Sequence, residues 1–135
     1  QLNNHDVFLG GILLKPNMII SAKNSKVQAN IPKVAEMTLK CLKENVPEDV
    51  PGIVFLSGGQ SSELATAHLN EMNKKKDMYK WNLSFSYGRA LQQPSLNSWL
   101  GNDNQIEEAQ KALLKRSKLN SNATLGAYSS NEENL

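Results

Sequence analysis

A chain of 135 residues, 39% hydrophobic and 21% charged, is long enough for one ordinary domain and too apolar for disorder throughout. Its 15 basic and 13 acidic residues leave a net charge of +2, which provides no basic field for a nucleic acid. No apolar run approaches the length of a membrane span, no signal peptide is recognisable, and the start at Gln1 instead of Met points to a processed or truncated product.

Val7 to Leu14 is almost continuously apolar and predicts a buried strand, with Gly10 and Gly11 inside it. Pro16 pushes the residue before it out of the α region, so Lys15 stays extended at the strand end. A polar loop from Ser21 to Asn30 follows. Asn30 is a candidate N-cap with Pro32 in the first turn, and Ile31, Val34, Ala35, Thr38 and Leu42 share one helical face up to a stop before Pro47. The lone Cys41 falls among apolar neighbours of this helix and reads as a buried structural thiol, which fits a reducing cytosolic compartment.

Pro51-Gly52 turns into a short strand from Ile53 to Leu56 that ends at Ser57-Gly58-Gly59. Ser61 or Ser62 caps a second helix through about Lys75, with Leu64, Ala65, His68, Leu69 and Met72 facing inward. The third strand runs from Trp81 to Ser86. Arg89 opens a short helical stretch interrupted near Pro94, and a longer helix from about Gln105 to Leu119 turns Ile106, Ala109 and Leu113 inward. Trp81 and Trp99 read as packing groups. Lys74-Lys75-Lys76 and Lys115-Arg116 with Lys118 read as solvated helix ends or faces, and the polar stretch from Ser121 as a loose tail.

Three successive strand–helix units predict an α/β fold whose parallel strands are joined by right-handed crossovers. Each strand ends in a polar signature, at Lys15, at Ser57-Gly58-Gly59 and at Gly88-Arg89, and the three recur every 32 to 42 residues. In such folds the active site lies at the carboxyl ends of the strands, with a phosphate pocket after the last two. A lysine ending an apolar strand is partly desolvated, and a neutral amine attacks a carbonyl to form a Schiff base. The serine–glycine turn offers a hydroxyl and backbone amides at a helix N-terminus, and the guanidinium can clasp a phosphate bidentately. Taken singly these are a surface lysine, a tight turn and a surface ion pair. Their shared address at three consecutive strand ends favours one pocket for a phosphorylated carbonyl compound. His5 and His68 lie far apart, no His, Cys, Asp or Glu grouping has metal-ligand spacing, and neither a metal nor a cofactor is expected; His68 reads as structural. A closed eight-stranded barrel takes roughly 250 residues, so this chain supplies about half of one and leaves two strand edges open.

The strings Leu13-Leu14-Lys15-Pro16-Asn17-Met18, Val50-Pro51-Gly52-Ile53-Val54-Phe55-Leu56-Ser57-Gly58-Gly59-Gln60-Ser61 and Ser84-Phe85-Ser86-Tyr87-Gly88-Arg89-Ala90-Leu91-Gln92 closely resemble class I fructose-bisphosphate aldolase, and the likeness runs over nearly the whole chain. The resemblance implies the last three β/α units of a TIM (β/α)8 barrel, incomplete in this chain, with residues 1–120 as the C-terminal part of the barrel and 121–135 as a flexible polar tail. It implies a cytoplasmic lyase of glycolysis and gluconeogenesis that cleaves fructose 1,6-bisphosphate to dihydroxyacetone phosphate and glyceraldehyde 3-phosphate. Lys15 would be the Schiff-base lysine, and Ser57, Gly58, Gly88 and Arg89 would hold substrate phosphate. The partners implied are the bisphosphate and the triose phosphates, a homotetramer when full length, and actin filaments, with no nucleic acid and no membrane span.

The family has Glu-Gly-Thr before Leu-Leu-Lys, where this chain has Gly10-Gly11-Ile12. Strand alternation turns Gly10 and Ile12 away from Lys15, so a carboxylate is lost while the lysine chemistry survives. The family's acid–base carboxylate, and the lysines and aspartate around the amine, belong to the first five units, and its C-terminal segment ends in a tyrosine that this chain lacks. The 135-residue piece by itself is therefore expected to be inactive. The alternative is a non-catalytic phosphate-binding or scaffold fragment that docks onto a partner.

Overall fold

Three strands, β1 (Leu13–Leu14), β2 (Gly52–Phe55) and β3 (Asn82–Phe85), pair in parallel in the order β1-β2-β3 in the computed structural model, which describes residues 2–134. Leu14 stands opposite Ile53 and Ile53 opposite Leu83, so these residues share the face that the helices cover. Ile53 and Phe55 are completely buried there. On the opposite face Leu13 is 66% exposed. The sheet is thus apolar toward one layer of helices and open on its other side, as half of a β/α layer would be.

The helices start where short polar side chains can take an orphan amide. The Asn30 side chain accepts the Lys33 N–H at 3.0 Å and opens α1 (Ile31–Asn45), with Pro32 in its first turn. Ser61 accepts the Leu64 N–H at 3.2 Å and opens α2 (Ser62–Asn73). Two more helices follow, α3 (Arg89–Trp99) and α4 (Ile106–Thr124). α2 and α4 lie on β3, α1 packs on α2 and α3 on α4. The core joins Ile53, Phe55 and Leu83 of the sheet to Val34, Ala35 and Leu39 of α1, Ala65, Leu69 and Met72 of α2, and Leu119 and Ala123 of α4.

Several expectations change. The apolar run from Val7 is not one strand: Leu9–Gly11 forms a 3-10 turn, and only Leu13 and Leu14 pair. Among the described residues β1 has a neighbour on one side only, and the Phe8 ring folds over Gly10 and Gly11, where added Cβ atoms would meet it at 2.7 and 3.1 Å. Ile12 does turn toward the core, opposite to Lys15. Cys41 is half-buried and Trp99 is exposed; only Trp81 packs, its indole N–H donating to the Pro47 carbonyl at 2.9 Å. α3 passes through Pro94 without a break, and just beyond it the Ser95 hydroxyl donates to the Ala109 carbonyl of α4 at 2.8 Å. Leu64 of α2 and Ile106 and Leu113 of α4 are exposed.

The inward face of α4 is instead partly polar. Arg116, expected on a solvated face, is only 4% exposed, and Asn120 is fully buried. The Arg116 guanidinium donates to the Thr66 hydroxyl at 3.0 Å and forks onto Glu133 at 2.8 and 2.9 Å. The stretch from Ser121, expected as a loose tail, continues α4 to Thr124 and then folds back on α2. Gly126, at a φ of 70°, passes so close to the Lys74 backbone that a Cβ would stand 3.1 Å from its nitrogen. The buried Asn70 carboxamide then reads both backbone groups of Tyr128, accepting its N–H at 2.9 Å and donating to its carbonyl at 3.2 Å. The Asn73 carboxamide likewise donates to the Ala123 carbonyl at 3.1 Å, so contacts 50 and 58 residues apart in sequence hold this segment.

Candidate active site at the strand ends

The three polar signatures emerge at the carboxyl ends of adjacent parallel strands. Past Leu14 the pairing continues, since Leu56 N–H donates to the Pro16 carbonyl at 3.1 Å, and past Phe55 the Ser86 N–H donates to the Phe55 carbonyl at 2.8 Å. Continuing the alternation from Leu14, Lys15 lies on the open face with Leu13. Its side chain is exposed, so this chain's own residues do not supply the desolvation expected from the apolar strand behind it.

Ser57 to Gln60 forms a tight turn closed by Gln60 N–H to the Ser57 carbonyl at 3.0 Å, with φ of 60° at Gly58 and 81° at Gly59. These left-handed values suit glycine. Gly58 is constrained twice, because a Cβ there would collide with the Asn17 carboxamide, which itself accepts the Met18 N–H at 3.0 Å. The Lys15-Pro16-Asn17 segment and the glycine turn are thereby pressed together. Gly58→Ala should cost about 1–2 kcal/mol from its left-handed backbone alone, and more from Asn17. The expected result is a lower melting temperature and at least tenfold weaker binding of inorganic phosphate, read by calorimetric titration.

Between the N-termini of α2 and α3 lies a cavity of about 490 Å³ lined by Ser57, Gly59, Gln60, Arg89, Gln93 and Asn97, among others. Gly88 carries the turn into α3, its carbonyl accepting the Leu91 and Gln92 amides at 3.0 Å. Two helix N-termini, one guanidinium and a serine hydroxyl make this cavity favourable to an anion. Glu63, in the first turn of α2, also lines it and stands 4.0 Å from the Arg116 guanidinium.

The expected residues fall into two groups. Ser57 and Arg89 line one cavity; Gly58 and Gly88 are exposed backbone positions beside it, and Lys15 stands two strands away from Arg89 on the open face. The sequence reading missed Asn17, Gln60, Gln93 and Asn97. Gln93 and Asn97 carried a signal, lying one and two turns after Arg89 on one helix. His68 is 2% exposed, its Nδ1 is 2.6 Å from Gln60 Oε1, and burial holds its pKa below the usual 6.5. Among the described residues no group of three or more His, Cys, Asp or Glu side chains could hold a metal ion, and no helix is long and apolar enough to cross a membrane.

Over residues 1–135 the sequence matches the glycolytic family described as fructose-bisphosphate aldolase class-I. The chain belongs to the class I fructose-bisphosphate aldolase family. A fructose-bisphosphate aldolase of Cicer arietinum, a cytoplasmic isozyme, is 50% identical over 133 residues, which are 98% of this chain and 36% of that protein. Fructose-bisphosphate aldolase 6 of Arabidopsis thaliana, cytosolic, is 52% identical over 128 residues, 94% of this chain and 35% of its own length. The chain thus spans about a third of the length of the curated aldolases it matches. Among solved structures, the fructose-bisphosphate aldolase of Plasmodium falciparum, crystallised with TRAP and a small-molecule inhibitor, superposes with a TM-score of 0.91 at 42% identity, over 96% of this chain and 37% of that one. An α/β architecture on a parallel sheet is therefore common to the chain and a solved aldolase.

Proposed function

We propose that this chain supplies the Schiff-base lysine and a phosphate pocket of a class I fructose-bisphosphate aldolase, as the last three β/α units of a (β/α)8 barrel that is incomplete within these 135 residues. The observation that carries the reading is the placement of Lys15, Ser57 and Arg89 at the carboxyl ends of three consecutive parallel strands, in a chain of this family. On this reading residues 1–120 belong to the barrel, and Ser57, Gly58, Gly88 and Arg89 bind a substrate phosphate. Lys15 Nζ attacks the C2 carbonyl of fructose 1,6-bisphosphate and water leaves to form an iminium ion. The C3–C4 bond then breaks, its electron pair flowing into the iminium as the C4 hydroxyl gives up its proton, and glyceraldehyde 3-phosphate departs. Protonation of the resulting enamine at C3 and hydrolysis of the imine release dihydroxyacetone phosphate and regenerate the amine. The carboxylate that moves these protons is assigned to the part of the barrel outside this chain, so the 135-residue piece alone is inactive. The protein acts in the cytoplasm, where the names of the two plant relatives above place those enzymes, and as a homotetramer with an actin-binding surface.

The test is to incubate the intact protein with dihydroxyacetone phosphate, reduce with borohydride and locate the added mass. Covalent gain on the peptide carrying Lys15 is expected. Phosphate binding without covalent gain would overturn the reading in favour of a docking fragment, and cleavage of fructose 1,6-bisphosphate by residues 1–135 alone would overturn the assigned inactivity.

A further inference from the structure

Within the glycine turn the Gln60 side chain is held from two sides. Its Nε2 donates to the Ser57 carbonyl at 2.8 Å and lies 3.6 Å from the Met18 sulfur, while its Oε1 is 2.6 Å from His68 Nδ1. Because the amide nitrogen donates to Ser57, Oε1 must accept, and Nδ1 of His68 therefore carries a proton. In the neutral ring Nε2 is then a bare acceptor, and that atom is buried without a hydrogen-bond partner. Packing alone does not call for such a residue, since a leucine would fill a similar volume without burying an unpaired nitrogen. What the imidazole adds is one directed hydrogen bond, and its recipient is the side chain that closes the turn.

The turn has amides to present. Among the described residues the Gly58 and Gly59 N–H groups have no protein acceptor, while the Ser57 carbonyl takes both the backbone N–H and the side-chain Nε2 of Gln60. Doubly bonded, that carbonyl points into the turn, so the Gly58 N–H, trans to it across the same planar peptide, points away. Asn17 presses on Gly58 from the β1 side, and His68 supports Gln60 from α2. The turn is held between two elements that are not neighbours in sequence.

We infer that His68 is a positioning residue for the phosphate-binding turn: its Nδ1–H holds the Gln60 carboxamide on the Ser57 carbonyl and so fixes the direction of the Gly58 amide. The inference rests on the phosphate role assigned to this turn under Proposed function. His68 does not touch the ligand; it acts through Gln60.

The experiment combines hydrogen exchange by mass spectrometry with titration of inorganic phosphate, on the intact protein and three variants. His68→Leu keeps the volume and removes the donor. His68→Asn keeps an N–H close to the position of Nδ1. Gln60→Leu, at a half-exposed position, severs the same link from the turn's side and serves if His68→Leu does not fold. His68→Leu and Gln60→Leu are expected to speed exchange of the Gln60 amide, which is bonded to the Ser57 carbonyl, about tenfold and to weaken phosphate binding about five- to tenfold, the share of one neutral hydrogen bond. His68→Asn is expected to stay within about threefold of the parent in both. Unchanged exchange at the turn in folded His68→Leu or Gln60→Leu would overturn the inference. So would acceleration spread evenly over α1 and α4, or an equal loss in His68→Asn. If the parent protein binds no phosphate, the phosphate reading fails by itself, and the exchange rates still decide whether His68 holds the turn.

Discussion

Replacing Lys15 with arginine is expected to abolish borohydride capture of dihydroxyacetone phosphate and to lower fructose 1,6-bisphosphate cleavage by the intact protein by roughly 10⁴-fold or more. Arginine keeps the positive charge and most of the length, but its delocalised guanidinium forms no imine. The loss will not come from unfolding. Lys15 is exposed and makes no hydrogen bond or ion pair among the described residues, so the substitution should change stability by no more than about 0.5 kcal/mol. On the proposed reading Lys15 matters to the chemistry and not to the fold, so one measurement separates the two. Unchanged melting with no covalent gain is the expected pair of results; retained capture in the arginine variant would move the nucleophile elsewhere.

The second large effect is structural and lies at the other end of the chain. Glu133→Ala leaves the Arg116 guanidinium buried with the Thr66 hydroxyl at 3.0 Å and Glu63 only at 4.0 Å, while its Nε already has no partner. Removing one member of a buried pair costs about 3–5 kcal/mol. Because Glu133 is itself partly solvated, about 3 kcal/mol is expected. Urea melts should show it, together with faster hydrogen exchange around Tyr128, whose hydroxyl donates to the same carboxylate at 2.8 Å. A joint Arg116→Met, Glu133→Leu change should cost far less than the single one, because no charge is left unpaired. Acid should mimic the single variant. Burial opposes the Glu133 charge, but hydrogen bonds from Arg116 and Tyr128 and the charges of Arg116 and Lys115 outweigh it and hold the carboxyl below its usual 4.5. The unfolded chain thus takes up the proton first, so this stabilisation is complete above about pH 4.5 and is lost as pH falls through the lowered folded value. In Glu133→Ala that part of the acid dependence should vanish.

Local signals were legible in the sequence and distant ones were not. The Asn30 and Ser61 caps, the stop before Pro47 and the sites of the second and third strands could be read because each depends on a few consecutive residues. The strand from Val7 was over-read because an apolar run does not say whether a neighbour exists to pair with it, and at the sheet's edge only two residues find one. α4 was misread for a similar reason: the periodicity of Ile106 and Leu113 says nothing of Thr66 and Glu133, which turn Arg116 inward. At the site, the shared address of Lys15, Ser57 and Arg89 was visible as spacing. The parts played by Asn17 and Gln60 were not, because the fold brings Asn17 beside Gly58 and sets His68 of α2 against the Gln60 carboxamide.

The join between Asn17 and Gly58 also has a metric meaning. With the Pro16 carbonyl bonded to Leu56 and the Asn17 carboxamide lodged where any side chain on residue 58 would go, the root of the lysine and the glycine turn cannot slide past one another. The interval between them is held by one main-chain hydrogen bond and one side chain. A phosphorylated ketose that met the amine and the turn together would find its two contacts on segments that the fold, not the chain, joins.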